Sequence, residues 1–272
     1  MNIAIYGRNI SADDPRLTLL LAKLHQRAKV SFFTETPPAD TDIVLSLGGD
    51  GTFLRAITRI GDRNIPIAGI NFGRLGFLTS AQVDREGGNQ WIEDLLTGRY
   101  SIEERILLEA SSDVMPRGFA PYALNEFSIQ RKSPAMLFVE ISIDGRNLPG
   151  WWADGVVVST PTGSTAYSLS VGGPIVTPNA DVLIIAPVAP HNLNVRPIIT
   201  PAESEITITF SSKSEPTGTI TMDNRSFDAP VGSRFVISRA GHTAKCISFG
   251  NRGFIDAIRE KLLWGEDRRN NF

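Results

Sequence analysis

The sequence predicts a mixed fold, an α/β domain followed by an all-β domain, and three observations predict it. Over the first hundred residues apolar strands alternate with amphipathic helical stretches, the pattern of a mostly parallel sheet covered on both faces. From about Ser101 the apolar period drops to two and Pro and Gly punctuate the gaps, as in a sandwich-like β domain. Helical spacing returns in Phe254-Ile-Asp-Ala-Ile-Arg-Glu-Lys-Leu-Leu263, whose apolar residues share one face, as a helix packing back on the first domain requires. The expected domains are residues 1–100 with 254–272, and residues 101–253.

Each element has a local reason. Ile3 to Tyr6 reads as the first strand. Asp14-Pro15 opens a helix, with Pro at the first helical position and leucines at 17, 20, 21 and 24. Val30 to Phe33 reads as a second strand and Ile43 to Leu47 as a third, which runs into Gly48-Gly-Asp-Gly-Thr52. Thr52 is expected to cap a helix beginning with Phe53, Leu54 and Ala56. Ile65 to Ile70 is a fourth strand leading to Gly73-Arg-Leu-Gly76, and Trp91 to Leu96 reads as another helix. In parallel sheets ligands bind beyond the carboxyl ends of strands, where the Gly48 and Gly73 loops fall. In the second half Leu137 to Ile143 alternates and ends at Asp144-Gly145, a hairpin signal. Glu205 to Phe210, Thr219 to Met222 and Arg234 to Ser238 repeat that texture, and Val156 to Val158 reads as a buried strand.

Composition excludes several classes. The 272 residues suit two modest domains. With 27 Lys+Arg against 29 Asp+Glu, nothing forms a basic stripe for nucleic acid or a polybasic membrane patch. No apolar run approaches the length of a membrane span, and the chain enters a strand directly at Asn2. Cys246 is alone, so neither a disulfide framework nor a thiolate metal site is expected. His25, His191 and His242 lack metalloprotease spacing, and no serine sits in G-x-S-x-G. The expectation is a soluble cytoplasmic protein with no nucleic-acid or membrane partner.

The chemistry starts at the glycine turn. Gly48, Gly49 and Gly51 permit positive φ and bring bare N–H groups close to a ligand, and a glycine turn feeding a helix is a ready phosphate site. Asp50 in its middle is the odd residue. A carboxylate aimed at phosphates costs energy unless it holds a cation or accepts a proton from an attacking hydroxyl, which points to phosphoryl transfer. The competing reading is ordinary turn chemistry, since Asp and Gly suit tight loops without a ligand. No lysine follows a glycine and no G-x-G-x-x-G follows a strand, so the two commoner phosphate fingerprints are absent.

Two further segments carry polar chemistry. Asn125-Glu126 at a strand start can read a ribose, the carboxylate accepting from hydroxyls and the amide bonding a base; the alternative is a solvated turn. Asp154 to Tyr167 joins a buried strand to a loop dense in hydroxyls: Ser159, Thr160, Thr162, Ser164 and Thr165. Gly163 and Ala166 leave room for a ligand there, and Tyr167 can stack on a base. A Ser/Thr-rich turn is the alternative for this segment. Arg55, Arg74 and Arg131 lie near the motifs and read as solvated surface arginines.

In content and order these segments, with Gly172-Gly173-Pro174, Pro190-His191 and Arg196-Pro197, resemble the NAD kinase family from about Asn2 to Arg259. The first motif is shared with diacylglycerol-type lipid kinases and, loosely, phosphofructokinases; the stretch from Asp154 to Gly173 is far more selective. The resemblance implies a Rossmann-like α/β domain, a C-terminal β-sandwich-like domain and a last helix returning to the first. It implies an enzyme that moves the γ-phosphoryl of ATP to the 2′-hydroxyl of the adenosine ribose of NAD. A divalent metal (Mg²⁺), with ligands unassigned, and a homotetramer or homodimer are implied as well. By matching position Asp50 would be the base, with Gly48, Gly49, Gly51 and Phe77 around it. Asn125 and Glu126 would hold the adenosine, and Thr165, Ala166, Tyr167 and Ser170 the adenine side. Asp154 would reach the nicotinamide end, that of a neighbouring subunit's dinucleotide included, and Asp223 matches an acid near the site. Trp152 and Asn224 depart from relatives that carry arginine and histidine there. The rivals are a lipid kinase of the same superfamily and a non-catalytic dinucleotide sensor.

Overall fold

The computed structural model describes residues 1–7, 10–11, 13–73, 76–83, 89–250 and 253–265. The chain forms two compact units, one of residues 1–104 with 244–272 and one of 105–243.

In the first unit, β1 (Asn2–Gly7) is followed by α1 (Pro15–Leu24), β2 (Lys29–Phe32), β3 (Ile43–Leu47), α2 (Asp50–Ile60), β4 (Ile67–Asn71), the short β5 (Ala81–Gln82) and α3 (Gln90–Thr97). The strands run parallel in the order β2-β1-β3-β4-β5. β1, β3 and β4 are buried along most of their length, which is why they read as continuous apolar runs rather than alternating ones. Ile3, Ile5, Leu45, Leu47 and Ile70 turn one way onto Leu17, Leu20 and Leu24 of α1 and Trp91, Ile92 and Leu95 of α3. α2 packs against β1, β3 and β4, and a Cβ on Gly69 would lie 2.9 Å from the Phe53 ring. α1 starts as its sequence requires: the Asp14 carboxylate accepts from the Arg16 N–H and Pro15 occupies the first turn.

α2 begins earlier than its residues suggested. It starts at Asp50, with Gly49 as N-cap and no side-chain cap, and Thr52 lies inside the first turn. The cause is Gly48, whose φ of +148° turns the chain so tightly that helical geometry is already in place two residues on.

β6 (Ser101–Ser111) leads into the second unit, followed by β7 (Tyr122–Ala123), β8 (Glu126–Gln130), β9 (Leu137–Ile143), β10 (Arg146–Asn147), β11 (Trp151–Ala153) and β12 (Gly155–Ser159). A 3₁₀ turn (Thr162–Thr165) and the four-residue α4 (Tyr167–Ser170) precede β13 (Val182–Val188), β14 (Ile198–Pro201), β15 (Ile206–Ser211), β16 (Thr217–Met222), β17 (Arg225–Pro230) and β18 (Arg234–Ser248). Antiparallel pairing gives β14-β13-β12-β8-β16-β17 in one sheet and β10-β9-β15-β18 in the other. Phe127, Ile129, Val156, Val158 and Ile220 from the first meet Val139, Ile208, Phe210 and Phe235 from the second in one apolar core. Each such fully buried side chain contributes about 1.5–3 kcal/mol. The Asp144-Gly145 hairpin forms with φ of +50° and +74°, as a two-residue turn of the mirror-image type needs.

From Ala244 the end of β18 belongs to the first unit, where Cys246 pairs with Ile67. α5 (Phe254–Leu262) belongs to that unit too.

Candidate active site

The glycine turn sits where β3 ends and α2 begins, at the carboxyl edge of the parallel sheet. Gly48 donates its N–H to the Ile70 carbonyl at 2.9 Å, and a Cβ there would lie 2.5 Å from Thr52 Oγ1. Gly49 and Gly51 are different: a Cβ on either would meet nothing within 4 Å among the described residues.

Asp50 is held from the 76–78 loop. Its Oδ2 accepts the Phe77 N–H at 2.9 Å and its Oδ1 the Leu78 N–H at 3.1 Å. A Cβ on Gly76 would lie 1.9 Å from Oδ1, so only glycine lets the loop come so close. Thr79 Oγ1 accepts the Gly76 N–H at 2.7 Å and fixes the loop in turn. An ionised carboxylate offers about four acceptor directions, so two remain for a hydroxyl. Phe77 thus meets Asp50 through its backbone, and the signal for this contact was the glycine-flanked Gly73–Gly76 stretch. Arg74 lies outside the described residues.

In the second unit, β8, β12 and the 3₁₀ turn build a polar wall. The segment Leu124–Glu126 is gripped from two sides. Thr160 Oγ1 donates to the Leu124 carbonyl at 2.6 Å and accepts the Gly163 N–H, while the Thr160 N–H donates to the Asn125 carbonyl. On the other side Asp223 accepts the Leu124 N–H at 2.9 Å and the Asn125 N–H at 2.8 Å. The hydroxyl-rich loop is therefore partly structural, since Ser164 Oγ also ties to Val176 in both directions and Ser159 Oγ donates to the Thr160 carbonyl.

Other polar atoms there are buried without partners among the described residues: Glu126 Oε2, Thr162 Oγ1 and Ser168 Oγ. Buried polar groups in native proteins are nearly always hydrogen-bonded, and these atoms are able to accept or donate to a polar ligand. Burial first, and then the Asp223 charge, push the Glu126 carboxyl up to about 8, against a lowering bond from the Tyr167 N–H. The Tyr167 hydroxyl is pushed up by burial, then by Asp154 and Glu126. Thr165 and Ala166 close the 3₁₀ turn, where the Ala166 N–H donates to Gly163, and Ser170 ends α4 exposed.

Asp154 is not solitary. Arg131 Nε lies 2.9 Å from its Oδ1, and the Arg131 N–H donates to the Asp154 carbonyl. Sequence reading treated Arg131 as a solvated arginine; the β8–β12 register, with Gly155 opposite Gln130, brings it to the acid. Trp152 packs on Phe138 and under the Lys213 ammonium.

Comparison with known proteins gives the family. The family profile for the ATP-NAD kinase N-terminal domain matches residues 14–100, and that for the ATP-NAD kinase C-terminal domain matches 124–249. An NAD kinase of Bacteroides fragilis is 45% identical over 231 residues, 85% of this chain and 79% of that protein. One of Cytophaga hutchinsonii is 41% identical over 246 residues, 88% of this chain and 83% of that protein. Among solved structures, yeast NADH kinase complexed with NADH superimposes with a TM-score of 0.86 at 25% identity, covering 100% of this chain and 90% of that one. An NAD kinase from Archaeoglobus fulgidus in complex with ATP gives 0.80 at 25% identity, covering 97% and 99%. Fold, glycine turn and relatives define a phosphotransferase. The chain belongs to the ATP-NAD kinase family.

Proposed function

We propose that the chain transfers the γ-phosphoryl group of ATP to the 2′-hydroxyl of the adenosine ribose of NAD, with Asp50 as the general base. The observation that carries this is the Asp50 carboxylate, fixed by two backbone N–H groups at the start of α2 beside the glycine turn. A ribose hydroxyl is a poor nucleophile, and a positioned base contributes about 10²–10⁴-fold. Fixing the carboxylate beforehand removes the cost of ordering it during the reaction.

Asn125 and Glu126 hold the adenosine ribose in this reading, and Thr165, Ala166, Tyr167 and Ser170 border the adenine. The Glu126 Oε2 that lacks a partner among the described residues supports it. Asp154, braced by Arg131, grips the nicotinamide end. Among the described residues no three His, Cys, Asp or Glu side chains form a metal cage. In this reading a divalent cation, Mg²⁺, would be held chiefly by the substrate phosphates and would supply charge neutralisation at the triphosphate. A homodimer or homotetramer in the cytoplasm completes the reading. Exposed apolar residues at and near the edge strand β14, Leu193 and Ile199, are surface that an assembly would cover. No helix among the described residues is long and apolar enough to cross a membrane.

The test is NADP formation from NAD and Mg-ATP, read through an NADP-specific dehydrogenase. Asp50→Asn should lower kcat by about 10² or more with NAD binding retained. Parent-like turnover in that variant would reduce Asp50 to a loop-fixing residue.

A further inference from the structure

Asp223 is tied by its carboxylate to the segment Leu124–Glu126. It links β16 to β17 with a φ of +51°, a backbone region that costs any residue with a side chain. Glycine would occupy it without strain. The two-residue hairpin between Met222 and Arg225 asks for a positive φ at its first residue, which glycine would also meet, and Asp223 adds a carboxylate whose contacts are visible. The Asp223 N–H donates to the Glu126 carbonyl at 3.0 Å, Oδ2 accepts from Leu124, and Oδ1 accepts from Asn125 and, at 3.4 Å, from Glu126. Both carboxylate oxygens are thus occupied by the backbone of one three-residue segment.

That segment carries the two side chains assigned to the ribose. The same peptides are held from their carbonyl side by Thr160, and a Cβ on Gly163 would lie 2.1 Å from the Asn125 carbonyl oxygen. With its backbone groups tied down, the segment presents Asn125 and Glu126 as rigid reading heads. We infer that Asp223 is a positioning residue, whose carboxylate clamps the Leu124 and Asn125 amides and thereby sets the geometry at which Asn125 and Glu126 meet the dinucleotide. This rests on the proposed NAD site and deepens it: Asp223 acts through the segment and does not touch the substrate.

A second consequence follows from charge. Asp223 is the acid that faces Glu126, with the Tyr167 N–H on the same carboxyl; burial raises the Asp223 carboxyl itself, against the amide bonds and the Arg225 guanidinium that favour its charge. Removing the Asp223 charge should let Glu126 ionise at lower pH; loosened packing would act in the same direction by admitting water, so the shift reports the charge only where the Leu124 and Asn125 amides exchange at the parental rate.

The experiment compares Asp223→Gly, which relieves the φ strain, with Asp223→Asn, which keeps the shape and removes the charge. In Asp223→Gly the KM for NAD should rise about tenfold or more with kcat within about threefold, as for loss of ground-state positioning. Amide exchange at Leu124 and Asn125 should accelerate in the ligand-free protein, a readout independent of turnover. In Asp223→Asn the midpoint of the KM-against-pH profile should move below the parental value. An unchanged KM in both variants would overturn the inference, as would a kcat loss of about a hundredfold at constant KM, which would put Asp223 on the reacting atoms. Failure of the parent to make NADP would instead overturn the proposed function, and the exchange result would still decide whether the clamp exists.

Discussion

Asp50 and Glu126 are both carboxyl groups of one proposed reaction, yet their surroundings differ. Asp50 is half-exposed at a helix start with two N–H donors. Glu126 is buried, faces Asp223, and leaves one oxygen without a partner. Its carboxyl rises from 4.5 to about 8, burial being the larger cause. The folded protein therefore retains a proton that the unfolded chain releases over that interval. Stability from this group is complete below pH 4.5 and is lost as pH rises through about 8. Glu126→Gln should accordingly gain on the parent in denaturant-determined stability between pH 5 and pH 8.5. Each tenfold change in proton affinity is worth about 1.4 kcal/mol, so the gain should reach a few kcal/mol; a pH-independent difference would remove the assignment. The same variant should bind NAD less well at pH 8.5, where the parent's carboxylate accepts from the ribose hydroxyls.

At the scale of elements, the glycines separate into two kinds. Gly48 has a positive φ and a neighbour within clash distance, so Gly48→Ala should destabilise the protein by about 1–3 kcal/mol. Gly163→Ala belongs with it, because its Cβ would enter the Asn125 carbonyl. Gly51 lies inside α2 with open space around it, so Gly51→Ala should stabilise the fold by about 0.5–1 kcal/mol. If the turn binds phosphate, turnover should nevertheless fall in Gly51→Ala. A more stable and fully active Gly51→Ala would show that bareness there has no role. Denaturation and steady-state kinetics on the same preparations read both quantities.

For the whole molecule, ligand linkage gives the broadest check. NAD at about a hundred times its Kd should stabilise the protein by about 2.7 kcal/mol, seen as a rise in Tm. EDTA should abolish turnover and leave the NAD-induced rise in place, because the ion is assigned to the triphosphate and not to a protein cage. An NAD-induced rise that EDTA erases would place the metal with the dinucleotide instead.

Much of this protein was legible in one dimension, because the signals were local. Buried parallel strands read as apolar runs, the Asp14-Pro15 start and the Asp144-Gly145 hairpin follow from backbone preference, and the family is carried by Gly48–Thr52, Asn125-Glu126 and the run from Asp154 to Gly173. What the tertiary structure alone decided depends on residues distant in sequence. Register between β8 and β12 turned Arg131 from a surface cation into the partner of Asp154. The helix of the glycine turn begins at Asp50 rather than after Thr52, since Gly48 bends against β4. The 76–78 loop reached back 27 residues to Asp50, and Asp223 reached across 98 to Asn125. Sequence determined the family and offered the groups proposed to carry its chemistry. Only folding decided which backbone amides hold them still, because a peptide N–H has no side chain by which its distant partner could be read.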